Sequence, residues 1–352
     1  MISIFLSNYH LISSILPNHP RVQIYRDVNL FLESKANAKF ALVEMTYEQD
    51  SSDKIIATLE KIESIDHIIF RSVELNLDVL NVLSFLATKH NTSSYVNGIA
   101  EGYKTNPDLF WLYDTHRLYE SRPLFLTENL TKDCKPFFFD VLYGTRKPHR
   151  ELVKEIIDGS KHKELYLQSS FLETHSVYSG AVKSNSDWWE DDIQKSPGPG
   201  DMVLYSGYET RPSQIIPLKV YNKSAYSLVC ETDNQNRFSF FTEKIAKPLI
   251  AGRLFIVISG RHYLRRLRSI GFKTFGSIVD ESYDEIAEPA ERIRAAMAAA
   301  DSLIAQSQKS VFEQIQEIVE HNQDLMTELF KTAYVNAELE LEKLVHLADK
   351  SN

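Results

Sequence analysis

Phe238–Gly252 reads FSFFTEKIAKPLIAG: an aromatic, strand-like run stops at Thr242, and Glu243 and Lys244 open a helix-like alternation ending at Ala251-Gly252. A strand that turns straight into a helix leaves backbone N–H groups without intrahelical partners, and anions bind there. A carboxylate in that first turn accepts hydrogen bonds from a diol such as ribose, and an ammonium pairs with a diphosphate. Thr242, Glu243 and Lys244 therefore have the residue types that hold a nucleotide-sugar. An acid in the first turn also suits the helix dipole with no ligand at all, so the rest of the chain has to decide.

A second segment has matching chemistry. Phe138–Tyr143 (FFDVLY) reads as a buried strand, and Gly144 then leads into Thr145-Arg146-Lys147-Pro148-His149-Arg150. Gly144 lets the backbone approach a ligand at a strand's carboxyl end. Pro148 marks a helix start. Arg146 and Arg150, four apart, both face a ligand if the turn after Gly144 is tight, and guanidinium matches diphosphate through bidentate hydrogen bonds.

These residues need elements to position them. Ile2–Leu6, Val22–Tyr25, Phe40–Met45, His67–Arg71 and Ser94–Asn97 read as short buried strands, and Asp53–Ile62 and Leu77–His90 as amphipathic helices. Alternation of this kind implies a parallel sheet with helices on its faces. There is no G-x-G-x-x-G in this half, which excludes a dinucleotide-type phosphate loop. From Pro136 the order repeats: strands at 138–143, 163–168, 225–230, 254–259 and 274–275, with helices at 151–157 and 261–270. The stretch 173–207 is loop-rich, carries Trp188 and Trp189, and is placed on the acceptor side. Glu291–Gln306, Val311–Glu320 and Asn322–Ala348 carry helical periodicity without glycine. The fold class is α/β, two open α/β domains with a helical C-terminal extension.

The TEK segment resembles the "F-x-TEK…G" run in the donor-binding domain of fucosyltransferases and related GT-B glycosyltransferases. The strand ending at Tyr143-Gly144 and its basic turn resemble the donor-domain start of the phage DNA β-glucosyltransferases. Thr145 stands here where that family has a second glycine. The resemblance covers residues 136–285, most clearly at its two ends. It implies two facing Rossmann-like domains, with residues 1–132 on the acceptor side, 133–288 binding the donor, and a helical segment 289–352. It implies donor binding by Gly144, Arg146, Arg150, Thr242, Glu243 and Lys244, with the Glu on ribose and the Lys on phosphate. It also implies inverting transfer without a metal or a separate cofactor, from a UDP- or GDP-linked sugar to an unidentified glycan, protein or modified DNA base. An inverting reaction needs a base for the acceptor hydroxyl. Glu101, in Gly98–Gly102 after a strand, is the preferred candidate. Asp114 lies in FWLYDTH, which is similar to the aromatic-rich strand before the phage enzymes' base, and His116 is a third option. A retaining reaction needs none of them.

Composition narrows the alternatives. Hydrophobic content of 43% and charged content of 25% are ordinary for a soluble globular protein. Apolar runs such as Leu249–Ile258 are too short to span a membrane, and the N-terminus reads as a first strand rather than a signal peptide. Two cysteines without C-x-x-C spacing, Cys134 and Cys230, fit a reducing cytoplasm. The net charge of −9 disfavours bulk nucleic-acid binding while allowing a local basic groove. No Asp-x-Asp or histidine spacing points to a metal. The competing reading is a non-catalytic binding or structural protein on the same scaffold, with the C-terminal helices available for self-association.

Overall fold

The structure, a computed structural model, describes residues 2–7, 22–25, 31, 33, 38–45, 51–62, 65–72, 74–89, 91–122, 124–171, 193–195 and 202–350. The side chains of 2–7, 22, 24, 38, 194, 195 and 333–350 are outside that description, as are Trp188 and Trp189 altogether. The chain is α/β and divides into two compact units, residues 1–110 with 331–352, and Trp111–Phe330.

In the first unit β1 (Ile2–Ser7), β2 (Val22–Tyr25), β3 (Ala38–Met45), β4 (His67–Ser72), β5 (Thr92–Val96) and β7 (Asn106–Pro107) form a parallel sheet in the order β2-β1-β3-β4-β5-β7. Helix α1 (Ser52–Glu60) links β3 to β4, α2 (Leu77–Leu86) links β4 to β5, and β6 (Gly98–Ala100) is a short strand. Ser51 and Asn76 cap the two helices, accepting from Lys54 N and Val79 N. Val79, Leu80, Val82, Leu83 and Leu86 give α2 its buried face.

The second unit contains most of α3 (Phe110–Glu120), then α4 (Phe125–Asn129), β8 (Phe137–Val141), α5 (Pro148–Gly159) and β9 (Tyr166–Gln168). An antiparallel trio follows, β10 (Ile193–Lys195), β11 (Val203–Tyr205) and β12 (Tyr208–Thr210). Next come α6 (Leu218–Tyr221), β13 (Ser224–Cys230), β14 (Phe238–Phe240), α7 (Glu243–Ile250), β15 (Phe255–Ile258), α8 (Tyr263–Ser269), α9 (Pro289–Ile304) and α10 (Gln308–Lys350), whose residues from Lys331 onward belong to the first unit. Four strands make a parallel sheet in the order β15-β13-β8-β9. All seven residues of β13 and all four of β15 are buried, as expected for parallel strands covered on both faces. Helix α9 packs on α5 and β15, and α7 on β13. The first strand of this sheet, β8, has the second on one side and the third on the other. Winding reverses between β8 and β13, and open α/β sheets bind ligands outside the strand ends at such a reversal.

Several expectations are corrected. The division falls at Phe110/Trp111 rather than 132/133, and residues 289–330 belong to the second unit. The reason is contact at long sequence separation: Gln214 Nε2 donates to Asp114 O (2.9 Å), Ile216 N donates to Tyr119 Oη (2.5 Å), and the ring of Phe330 lies 5.3 Å from that of His116. Asp114 is on helix α3, not a strand. Thr274 and Phe275 form no strand; the Thr274 hydroxyl and Phe275 N both donate to Glu281. The two helices expected after 311 are one, α10, because Asn322 uses its amide to bond Lys273 N and O (2.8 and 2.9 Å) rather than to break the helix. Arg266, in the helix expected over 261–270, is buried and donates to Ser239 Oγ, Arg261 O and Asn236 O.

Candidate functional site at the carboxyl ends of β8 and β13

Two turns meet at the reversal point. The first leaves β8 through Gly144, whose φ of 65° is left-handed, and reaches α5 at Pro148. The second leaves β14 at Thr242, which caps α7 by accepting from Lys244 N (3.2 Å). Between them lies the end of β13, Cys230-Glu231-Thr232.

The cations from both turns converge on one residue. Lys147 Nζ donates to Thr232 O (2.5 Å), and Lys244 Nζ donates to Thr232 Oγ1 (3.2 Å). Lys244 also pairs with Glu243 Oε1 at 2.6 Å. All three side chains are half-buried. Burial pushes the Glu243 carboxyl up, but Lys244 and Lys247 outweigh it and hold it below the usual carboxylate range. Lys247, one turn further along α7, is pulled down to about 8 by burial, against the attraction of Glu243. The set offers ammonium groups for an anion and a carboxylate for a diol, at the N-termini of two helices.

The arginines expected here take other roles. Arg150 is buried and donates to Thr145 O (2.9 Å), Cys230 O (3.3 Å) and Glu231 O (2.9 Å), so it ties α5 to the end of β13. Arg146 is exposed, pairs with Glu151 (3.1 Å) and lies over the ring of Phe171 (4.7 Å). Residues four apart share a face only where both are helical. Arg146 precedes the helix, in a turn whose last residue, Lys147, is extended (φ −149°, ψ 148°). Lys147 is the cation of this turn whose side chain reaches Thr232. Its signal was its position before Pro148: such a residue is extended, and here it is also the helix cap at a strand end.

His149 Nε2 is 3.0 Å from Glu231 O and therefore carries the ring proton there. Burial pulls its imidazole down to about 4, and the hydrogen bond to Glu231 opposes this. A histidine with a folded pKa below its unfolded value binds fewer protons when folded, so its stabilisation is complete above about pH 6.5 and lost as pH falls toward 4. Between about pH 7 and pH 4, wild type should lose about 2–3 kcal/mol more stability than His149→Gln. Urea unfolding of both across that range checks this, and parallel profiles would exclude His149 as the responsible group.

The two candidate bases lie in different units. Glu101 is exposed in the turn after β6, next to Gly102 with φ 83°. Asp114 is buried in the second unit, 3.2 Å from Arg117 and 3.7 Å from Arg211. Desolvation raises its pKa, Arg117 and Arg211 oppose this, and the charge of Glu243 adds to the rise. Among the described residues no helix is long and apolar enough to cross a membrane, and no three His, Cys, Asp or Glu side chains are grouped to hold a metal ion. No protein-family model, curated protein or solved structure matches this chain.

Proposed function

We propose that this chain is a nucleotide-sugar-dependent glycosyltransferase of the GT-B type, its second α/β unit binding the donor. The observation that supports the reading is the convergence of Lys147 and Lys244 on Thr232 at the β8–β13 reversal, with Glu243 beside them. Lys147 and Lys244 hold the diphosphate of a UDP- or GDP-sugar, and Glu243 accepts from the ribose diol. In the inverting reaction, Asp114 or Glu101 takes the acceptor's hydroxyl proton. The acceptor oxygen bonds to the anomeric carbon as the bond to the diphosphate breaks, and the lysines stabilise the departing charge. No metal is needed for that stabilisation. The acceptor is a glycan, a protein or a modified DNA base. The protein acts in the cytoplasm, and self-association through its C-terminal helices belongs to the same proposal.

Calorimetric titration with UDP and GDP tests the donor site. Lys147→Ala and Lys244→Ala should each weaken binding by roughly ten- to a hundredfold, the effect of a lost charge-assisted hydrogen bond. Their circular dichroism should match wild type, and undiminished affinity in both would refute the assignment.

The competing reading, a non-catalytic binding protein, is favoured by one observation. Lys244 is already neutralised by Glu243 at 2.6 Å. Release of free nucleotide diphosphate from a sugar donor by the purified chain separates the two.

A further inference from the structure

We propose that Glu231 is the positioning residue of this diphosphate site, with its carbonyl fixing the turn that carries Lys147 and its carboxylate fixing the turn that carries Lys244. The inference rests on the diphosphate reading above.

Glu231 has no exposed surface. Its carbonyl accepts from Arg150 Nη2 (2.9 Å) and His149 Nε2 (3.0 Å), which anchors the first turn of α5 directly after Lys147. Its Oε2 accepts from the Thr242 hydroxyl (2.6 Å) and from Thr232 N (3.1 Å), and its Oε1 from the Tyr263 hydroxyl (2.8 Å). Thr242 Oγ1 accepts in turn from Lys244 N, and Lys244 Nζ returns to Thr232 Oγ1. The hydrogen bonds close a ring through Glu231, Thr242, Lys244 and Thr232. Displacing any member moves the ammonium of Lys244 relative to Thr232.

Packing alone does not call for a carboxylate here. A buried charge is unfavourable unless it is paired. Asp140, elsewhere in the same sheet, has its own guanidinium at 2.8 Å from Arg253. Glu231 has neutral donors only: two hydroxyls and backbone amides. Burial raises its pKa, and the foremost influence opposing that rise is the ammonium of Lys244, itself a member of the site. A group of this cost, placed where two ligand-bearing turns meet, fits a role in fixing their geometry.

The test is calorimetric titration of the full chain with inorganic pyrophosphate, for wild type, Glu231→Gln, Thr242→Ser and Thr242→Val. Gln keeps the volume of Glu231 but sets an NH2 group against one pair of its donors. It should bind pyrophosphate roughly tenfold more weakly or worse, at a temperature where circular dichroism shows the variant still folded. Ser keeps the hydroxyl of the ring and should bind within about threefold of wild type, whereas Val, which keeps the shape, should lose roughly tenfold. A purely packing role predicts the opposite order, Val better than Ser. If Glu231→Gln fails to fold, the Thr242 pair decides. Wild type that does not bind pyrophosphate removes the site and this inference together. Wild type that binds, with Glu231→Gln binding equally well or Val binding better than Ser, overturns the role of Glu231 alone.

Discussion

Arg253→Met is expected to destabilise the second unit by about 3–5 kcal/mol at neutral pH, because it leaves a buried carboxylate without its cation. Both partners are nearly inaccessible, with side-chain exposures of 6% for Arg253 and 5% for Asp140, and they meet at 2.8 Å between β8 and the turn two residues before β15. The guanidinium also donates to Ser224 O (2.9 Å), Tyr221 O (3.1 Å) and two serine hydroxyls, and stacks 3.9 Å from the ring of Tyr221. Met fills much of the volume and satisfies none of these acceptors. Asp140 keeps only Ser224 and Ser227 as donors, at 3.0 and 3.1 Å. Desolvation already pushes its carboxyl up and Arg253 is the main opposing influence, so the variant's Asp140 titrates higher still. An acid whose folded pKa is raised favours the folded state at low pH, and that contribution fades as pH rises through the folded value. The deficit of Arg253→Met should therefore be smaller at about pH 5 than at pH 8. Asp140→Leu with Arg253→Met should cost less than the sum of the two single changes, since the double variant leaves neither charge orphaned. Urea unfolding at both pH values reads all of this, and a deficit under 1 kcal/mol would mean the pair is not buried as described.

That network marks where reading the sequence stopped. AYSLVC, LFIVIS and FFDVLY were visible as strands because a parallel strand buried on both faces writes itself as a continuous apolar run. The start of α7 was visible because threonine followed by an acid is a local cap signal. Asp140 and Arg253 are 113 residues apart, and Glu231 and Tyr263 are 32 apart. No local pattern announces such partners. The same holds for the unit boundary: Gln214 reaches back 100 residues to Asp114. FWLYDTH is rich in strand-favouring aromatics, yet burial of Leu112, Thr115, His116 and Tyr119 follows the helical period, and tertiary contact overrides propensity. At the site, residue type was readable and direction was not. The basic turn after Gly144 was found, but which of its cations reaches Thr232 depends on where the helix begins. Arg146 and Lys147 are neighbours in the chain, yet one step along it places them in different surroundings.

Gly260→Ala should have an equally large effect, through sterics rather than charge. A Cβ at this position would stand 1.8 Å from Gln235 O and 2.6 Å from its carbonyl carbon, with Asn236 N at 3.4 Å. These are backbone atoms, so no side chain can rotate away. The loop they belong to is held on several sides. Ser259 Oγ donates to Asp233 O (3.1 Å), Arg261 N to Asn236 Oδ1 (3.0 Å), Arg266 Nη2 to Asn236 O (3.1 Å), and Arg292 Nη2 to Asn234 Oδ1 (2.9 Å). Arg266 and Arg292 are buried, so retreat of the loop would leave their donors unsatisfied. Overpacking alone costs about 1–3 kcal/mol, and breaking these bonds adds to it, for a total of about 3–5 kcal/mol. For a unit of this size that is a fall in Tm of roughly 6–20 °C. Gly159→Ala is the matched control: its Cβ would meet nothing within 4 Å, so its effect should stay within about 1 kcal/mol and be stabilising in sign. The loop begins at Thr232, so Gly260→Ala should also weaken pyrophosphate binding at temperatures where the protein is still folded. Differential scanning calorimetry of both variants, followed by titration of the folded Gly260→Ala protein, separates the two consequences. A Gly260→Ala protein as stable as Gly159→Ala would show that Gln235 does not lie over Gly260.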